Sequence, residues 1–72
     1  PLYNWRIIEE DYWRGEAQGL LVKEIYVDYK KNSIKVIVTN NGRKSSQDSV
    51  AFSDIFQARQ YIMDYIKNTT LQ

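Results

Sequence analysis

The amino-acid sequence predicts an α+β domain: an antiparallel sheet of three to four strands with one C-terminal helix packed on one face. Three observations lead to this prediction. Apolar residues alternate with polar ones over two stretches in the middle of the chain, an Asn-Gly pair follows, and the apolar spacing then changes to that of a helix. A chain of 72 residues has room for one core, so we expect a single domain over residues 1–72.

The first nineteen residues have the weakest pattern. In LYNWRII, the residues Tyr3, Trp5 and Ile7 recur at every second position, which favours a strand. A short helix over IIEEDYW is the alternative, because Glu is a fair helix former. The next stretch, EEDYWRGEAQG, is polar and contains two glycines. We therefore expect it to be a connection between elements.

The middle of the chain predicts a hairpin and a third strand. Residues 19–30 and 34–40 alternate regularly, and turn-forming residues separate them, so these two strands should pair. Asn41 and Gly42 tolerate the positive φ of a type I′ turn, which predicts a third strand from about Arg43 to Phe52. The stretch RKSSQDS has no apolar residue, so this strand belongs at a sheet edge or on a solvated face.

Residues 53–68 form the predicted helix. Its apolar face consists of Ile55, Ala58, Ile62, Tyr65 and Ile66. Ser53 or Asp54 can cap the first turn, and Lys67 lies near the negative C-terminal end of the helix dipole. The spacing therefore predicts an amphipathic helix that covers one face of the sheet.

Phe56 and Met63 extend the apolar arc of this helix beyond its main stripe. Either both side chains reach the rim of the core, or they form a second contact surface to which Trp13 would contribute. In the second case the chain would form a homodimer, with one patch meeting its copy across a two-fold axis. Phe56, Met63 and Trp13 are thus the candidate interface residues.

The composition excludes several kinds of chemistry. The chain has no Cys and no His, so disulfides, the usual zinc sites and imidazole bases are ruled out. Glu9, Glu10 and Asp11 are adjacent, and neighbouring residues of a strand point to opposite faces, so these acids do not converge on a substrate. The three glycines of the chain are too dispersed for a phosphate-binding loop. We therefore expect a protein that is not an enzyme and has no metal or cofactor.

Hydropathy and the N-terminal sequence bear on location. No stretch approaches the ~20 apolar residues of a membrane span, and the first residues lack the basic start and apolar run of a signal peptide. We expect a cytoplasmic protein with no membrane partner.

Charge is nearly balanced overall but segregated along the chain. Ten basic and nine acidic residues give a net charge of +1. Residues 9–16 hold four acids and one Arg, for −3, whereas residues 30–44 hold five bases and no acid, for +5. Two such segments can give one small domain a polarised surface, although a solvated charge run is the simpler interpretation of each.

Basic, hydroxyl and aromatic side chains interleave on the sheet face that should point away from the helix. Such a face offers phosphate contacts and base stacking. The candidate nucleic-acid-binding residues are Tyr26, Lys30, Lys31, Lys35, Thr39, Arg43, Lys44 and Ser45. We therefore predict a small nucleic-acid-binding or regulatory domain. The alternatives are an ordinary solvated face and a protein-interaction module, such as a dimeric adaptor or inhibitor.

A hairpin followed by Gly42-Arg43-Lys44, then Phe52, then Ala58 and Tyr61, is an organisation found in known DNA-binding domains. The stretch from Glu24 to Ile66 resembles the three-stranded-sheet-plus-helix domains at the N-termini of tyrosine-recombinase integrases and in the AP2 class of plant proteins. In those families the exposed sheet face enters the major groove. The resemblance implies DNA contacts from Tyr26, Lys35, Thr39, Arg43 and Ser45.

Overall fold

The computed structural model describes residues 2–70. Within them, five antiparallel strands pair in sequential order and one helix follows. The elements are β1 (Asn4–Glu9), β2 (Tyr12–Ala17), β3 (Leu21–Asp28), β4 (Ser33–Asn40), β5 (Arg43–Ala51) and α1 (Ile55–Asn68). The predicted α+β class, antiparallel sheet and C-terminal helix are confirmed, but the prediction of three to four strands was wrong. None of the helical structure described is long and apolar enough to cross a membrane.

The additional strand is β2, where the sequence predicted a polar connection. Trp13 pairs with Ile25 on the sheet face that α1 covers, and Gly15 pairs with Lys23 on the same face. Tyr12, Arg14 and Glu16 alternate with these positions and point to the solvated face. A strand with a solvated face and a glycine at one inward position contains few apolar residues, so its alternation is hard to detect.

Gly15 is required by the packing of Trp5. A Cβ atom at Gly15 would lie only 2.8 Å from Cδ2 of the Trp5 indole ring. The ring crosses the backbone of β2 at this point, and its Nε1–H donates a hydrogen bond to Thr69 Oγ1 at 3.0 Å. The backbone N–H of Tyr3 donates to the carbonyl oxygen of the same threonine at 2.7 Å. These contacts join β1 to the C-terminal end of α1.

The core lies between α1 and the central strands. Its buried apolar residues are Tyr3, Ile25, Val27, Ile34, Val36, Phe52, Ala58 and Ile62. Ile25 and Ile34 are fully buried, and each such side chain contributes roughly 1.5–3 kcal/mol of transfer free energy. The predicted helix face is confirmed at Ala58 and Ile62, while Ile55 at the start of α1 stays 41% exposed.

One lysine points toward the helix side of the sheet. The ammonium of Lys23 donates a hydrogen bond to the Tyr65 hydroxyl at 2.6 Å and lies 5.0 Å from the centre of the Tyr3 ring. Aromatic faces attract cations, and the long aliphatic stem of lysine packs against apolar neighbours. These contacts explain how a charged residue fits an inward position of β3.

Backbone conformation confirms two local predictions. Asn41 and Gly42 have φ angles of 54° and 80°, as a type I′ turn between β4 and β5 requires. Of the two predicted helix caps, Asp54 is the one used, because its Oδ1 accepts the backbone N–H of Gln57 at 2.9 Å.

Candidate nucleic-acid interface

The outer face is the sheet face that points away from α1. Residues directly opposite each other in an antiparallel ladder share a face, so the strand register defines its rows. One row is Tyr12, Tyr26, Lys35 and Ser49. The next is Arg6, Arg14, Glu24, Ile37 and Gln47, and the third is Asn4, Glu16, Val22, Thr39 and Lys44.

Two tyrosines form the aromatic centre of the outer face. The rings of Tyr12 and Tyr26 stack with centroids 4.6 Å apart and planes within 6° of parallel. Both hydroxyl groups donate hydrogen bonds to Glu24 Oε2, that of Tyr26 at 3.0 Å. Arg14 Nη1 lies 3.7 Å from the same oxygen. The two rings are therefore held side by side by the stack and by a shared acceptor.

The pKa of Tyr26 is raised above its ordinary value. Burial is the main cause, and hydrogen bonds with Tyr12 and Glu24 add to it. Like any tyrosine, Tyr26 is protonated at neutral pH, and the raised pKa extends the pH range over which its hydroxyl donates to the Glu24 carboxylate. Hydrogen bonding thus fixes the orientation of the Tyr26 ring. The residue remains 37% exposed.

A shallow groove of about 490 Å³, the outer groove, runs beside Tyr26 toward β5. Its lining residues are Tyr26, Val27, Asp28, Lys31, Ser33, Lys35, Ile37 and Ser49. Among residues 2–70, no carboxylate comes within ion-pairing distance of Lys31 or Lys35. The groove therefore combines the two ammonium groups of Lys31 and Lys35, two serine hydroxyls and part of the Tyr26 ring with one carboxylate. That carboxylate, of Asp28, accepts the backbone N–H groups of Lys30 and Lys31.

Lys30 and Lys31 lie in the turn between β3 and β4. The sequence analysis extended the strand to Lys30, but β3 ends at Asp28. The Asp28 carboxylate accepts the backbone N–H groups of Lys30 and Lys31, both at 3.1 Å. This Asx-type turn competes with continuation of the strand, and it brings Lys31 to the end of the outer groove.

Thr39 and Lys44 face each other across β4 and β5 on the outer face. They lie about 13 Å along the sheet from Lys35, given the rise of ~3.3 Å per residue in a strand. The Lys44 ammonium donates to Gln47 Oε1 at 2.8 Å. This pair thus extends the basic band beyond the outer groove without lining it.

Ser45 and Arg43 do not join the outer face as the sequence analysis expected. A register shift between Val38 and Thr39 makes Ser45 the extra residue of a β-bulge, and its hydroxyl donates to the Val38 carbonyl oxygen at 3.2 Å. Arg43 pairs with Asn40. Asn40 follows the outward-pointing Thr39, so the alternation of the strand puts Asn40 and Arg43 on the sheet face that α1 covers. A bulge inserts one residue and reverses the alternation that sequence spacing assumes.

Charge on the outer face differs between its two halves. Near β1 and β2, Glu16 Oε1 lies 3.0 Å from Arg6 Nη2 and 3.4 Å from Arg14 Nε. These exposed pairs add little stability, but they neutralise that half. The cations of the β3–β4 turn, β4 and β5 have no such partners among the described residues. The outer groove thus lies in the positive half of the face, with Asp28 as the one acidic residue among the described residues that line it.

Sequence analysis missed Tyr12, Arg14 and Glu24 as parts of this site. The sequence did contain a signal for the strand: Tyr12, Arg14 and Glu16 recur at every second position, which is the spacing of residues on the solvated face of a strand. Their grouping with Glu24 depends on the pairing of β2 with β3, which no local pattern encodes.

The predicted interface residues lie on the other side of the sheet. Phe56 is 80% exposed and Met63 is 65% exposed. Trp13 and Met63 line one groove of about 330 Å³ between α1 and the ends of β1 and β2, and we name it the helix groove. Phe56 borders this groove without lining it.

Within the described part of the chain, no three acidic residues converge on a position that could hold a metal ion. The carboxylates of Glu16 and Glu24 are engaged by arginine or tyrosine groups. Searches against protein-family models, curated proteins and solved structures found no match to this chain. The arrangement of side chains on the outer face is thus the observation from which a function is argued.

Proposed function

We propose that this chain is a small non-enzymatic nucleic-acid-binding domain that contacts phosphates and bases through its outer face. The observation that carries the proposal is the outer groove, which Lys31, Lys35 and Tyr26 line together. Ammonium groups without internal partners are available to phosphates. A ring fixed by a neighbouring stack is a ready platform for a base.

Phosphate contacts supply most of the affinity. Because the net charge is only +1, attraction depends on the local band formed by Lys30, Lys31, Lys35 and Lys44 rather than on the whole surface. Four phosphate contacts correspond to a log-log salt slope of about −3.6 on duplex DNA and about −2.8 on a single strand. Binding should therefore weaken steeply as salt is added.

Base stacking supplies the remainder. Tyr12 covers one face of the Tyr26 ring, with the centroids 4.6 Å apart, and Tyr26 also lines the outer groove. A base stacked on such a ring contributes about 1–3 kcal/mol, with little dependence on its identity. The resemblance to integrase and AP2-type domains supports the same surface, since their contacts come from the sheet face opposite the helix.

The test is a fluorescence anisotropy titration of labelled duplex and single strand at two salt concentrations. Lys35→Gln should reduce the magnitude of the salt slope by about 1, because one phosphate contact is lost. Lys67→Gln removes the same charge from the last turn of α1 and should leave the slope unchanged. Equal effects of the two variants, or no binding at low salt, would overturn the proposal.

A second pair of variants examines stacking. Tyr26→Ala should weaken binding by about 1–3 kcal/mol at either salt concentration. Tyr29→Ala removes another exposed tyrosine, which lies in the β3–β4 turn and lines the helix groove, and it should have little effect on binding.

A further inference from the structure

The helix groove and its border form a continuous apolar surface. Ile7, Trp13, Tyr29, Ile55 and Met63 are among its lining residues. Ile7 is 74% exposed and Met63 is 65% exposed, although both are large apolar side chains. A patch of this kind on a small domain marks a contact surface more often than isolated exposed apolar residues do.

Phe56 is the protruding element of this surface. It lies on α1 three residues before Arg59 and seven before Met63, so the three side chains form one stripe along the helix. Arg59 and Met63 line the helix groove, while Phe56 at the border is 80% exposed. A projecting ring and a recess therefore lie next to each other in one patch.

We propose that the helix groove is a homodimer interface, in which Phe56 of each protomer enters the helix groove of the other. The projecting Phe56 and the recess belong to the same patch. A two-fold axis therefore lets each protomer insert its Phe56 into the groove of the other at the same time. The assembly then closes at two copies. A recess on a distant part of the surface would instead produce an open chain of molecules.

Charge complementarity favours a second copy as the occupant. The charged residues that line the helix groove are Glu10 and Arg59, one of each sign. Within residues 2–70 these two groups do not pair with each other or with another charge. A two-fold arrangement can bring Glu10 of one protomer against Arg59 of its partner, twice per dimer. The charges that line the groove are thus complementary to those of a second, two-fold-related copy.

The position of the helix groove is compatible with this assembly. A standard interface would take roughly 800 Å² from each partner, about a seventh of the 5339 Å² accessible surface of the monomer. Small domains without disulfides or metals often gain stability by oligomerisation. The helix groove lies on the side of the sheet opposite the outer face, so dimerisation leaves both outer grooves free.

Sedimentation velocity and light scattering at micromolar concentration test the assembly. The expected mass is twice the 8.6 kDa of one chain. Phe56→Lys should weaken the dimer at least roughly tenfold, as expected for a central aromatic anchor. Leu20→Lys is the matched control, because Leu20 is also a largely exposed apolar residue, at 68%, but does not line the helix groove. Circular dichroism confirms that each variant is folded.

A charge exchange then tests the orientation. Glu10→Arg and Arg59→Glu should each weaken the dimer, because each puts like charges opposite one another. The double variant should restore it. A monomer mass at tens of micromolar, or a dimer that Phe56→Lys leaves intact, would overturn the interface. Failure of the double variant to restore the dimer would overturn the two-fold arrangement.

Discussion

Gly15→Ala is the substitution that most directly tests how β1 and β2 are held together. The backbone at this position would accept alanine, since positive φ angles among the glycines occur only at Gly19 and Gly42. Space is the obstacle. The new Cβ atom would lie 2.8–2.9 Å from three carbon atoms of the Trp5 indole ring, closer than carbon atoms approach without strain.

The magnitude follows from three contributions. Forcing a methyl group into a packed site costs about 1–3 kcal/mol. Displacing the ring also weakens the hydrogen bond from Trp5 Nε1–H to Thr69 Oγ1, worth about 0.5–1.5 kcal/mol. Replacing glycine by alanine lowers the conformational entropy of the unfolded chain, and this offsets about 0.4–1 kcal/mol of the destabilisation. With the middle of each range, we expect the free energy of unfolding to fall by about 2 kcal/mol.

Urea unfolding followed by far-ultraviolet circular dichroism measures this loss. The same substitution in a Trp5→Leu background provides the control, because the smaller side chain leaves room for the methyl group. In that background Gly15→Ala should be neutral or slightly stabilising. The coupling between the two sites should therefore be about 2–3 kcal/mol, within the range for residues in contact.

Two results would refute this reasoning. If Gly15→Ala stabilised the wild-type protein, the indole ring would not lie over β2 as described. If the substitution cost the same with tryptophan or leucine at position 5, the loss would come from the backbone of β2 and not from the contact with the ring.

Two further predictions concern the helix cap and the outer face. Asp54→Ala removes the acceptor for the Gln57 N–H and should lower the free energy of unfolding by about 0.5–2 kcal/mol, whereas Asp54→Asn should have little effect in the same urea titration. Because the pKa of Tyr26 is raised in the folded state, the stability it contributes is complete below its unfolded pKa of about 10 and is lost as pH rises beyond it. Tyr26→Phe should therefore make the unfolding midpoint fall less steeply than wild type above about pH 10; equal slopes would show that Tyr26 titrates normally.

Local patterns predicted a large part of the fold. Alternation identified the hairpin of β3 and β4, Asn41 and Gly42 identified the turn into β5, and helical spacing identified α1. These signals act over a few residues, because a strand or helix must show one face to the core and a tight turn must accept positive φ. The positions of Tyr26 and Lys35 on one sheet face were predictable for the same reason.

Sequence by itself thus determined the strands and the helix that have a clearly apolar face, and it determined β5 through the turn that precedes it. Tertiary structure decided the rest. It made β2 a strand, brought Tyr12 beside Tyr26, and put Phe56 next to a groove whose walls come from both ends of the chain. The physical reason is that strand register and side-chain proximity depend on contacts between residues far apart in sequence. Gly15 illustrates the difference: its sequence suggests a loop, and only the ring of Trp5 explains why no side chain fits there.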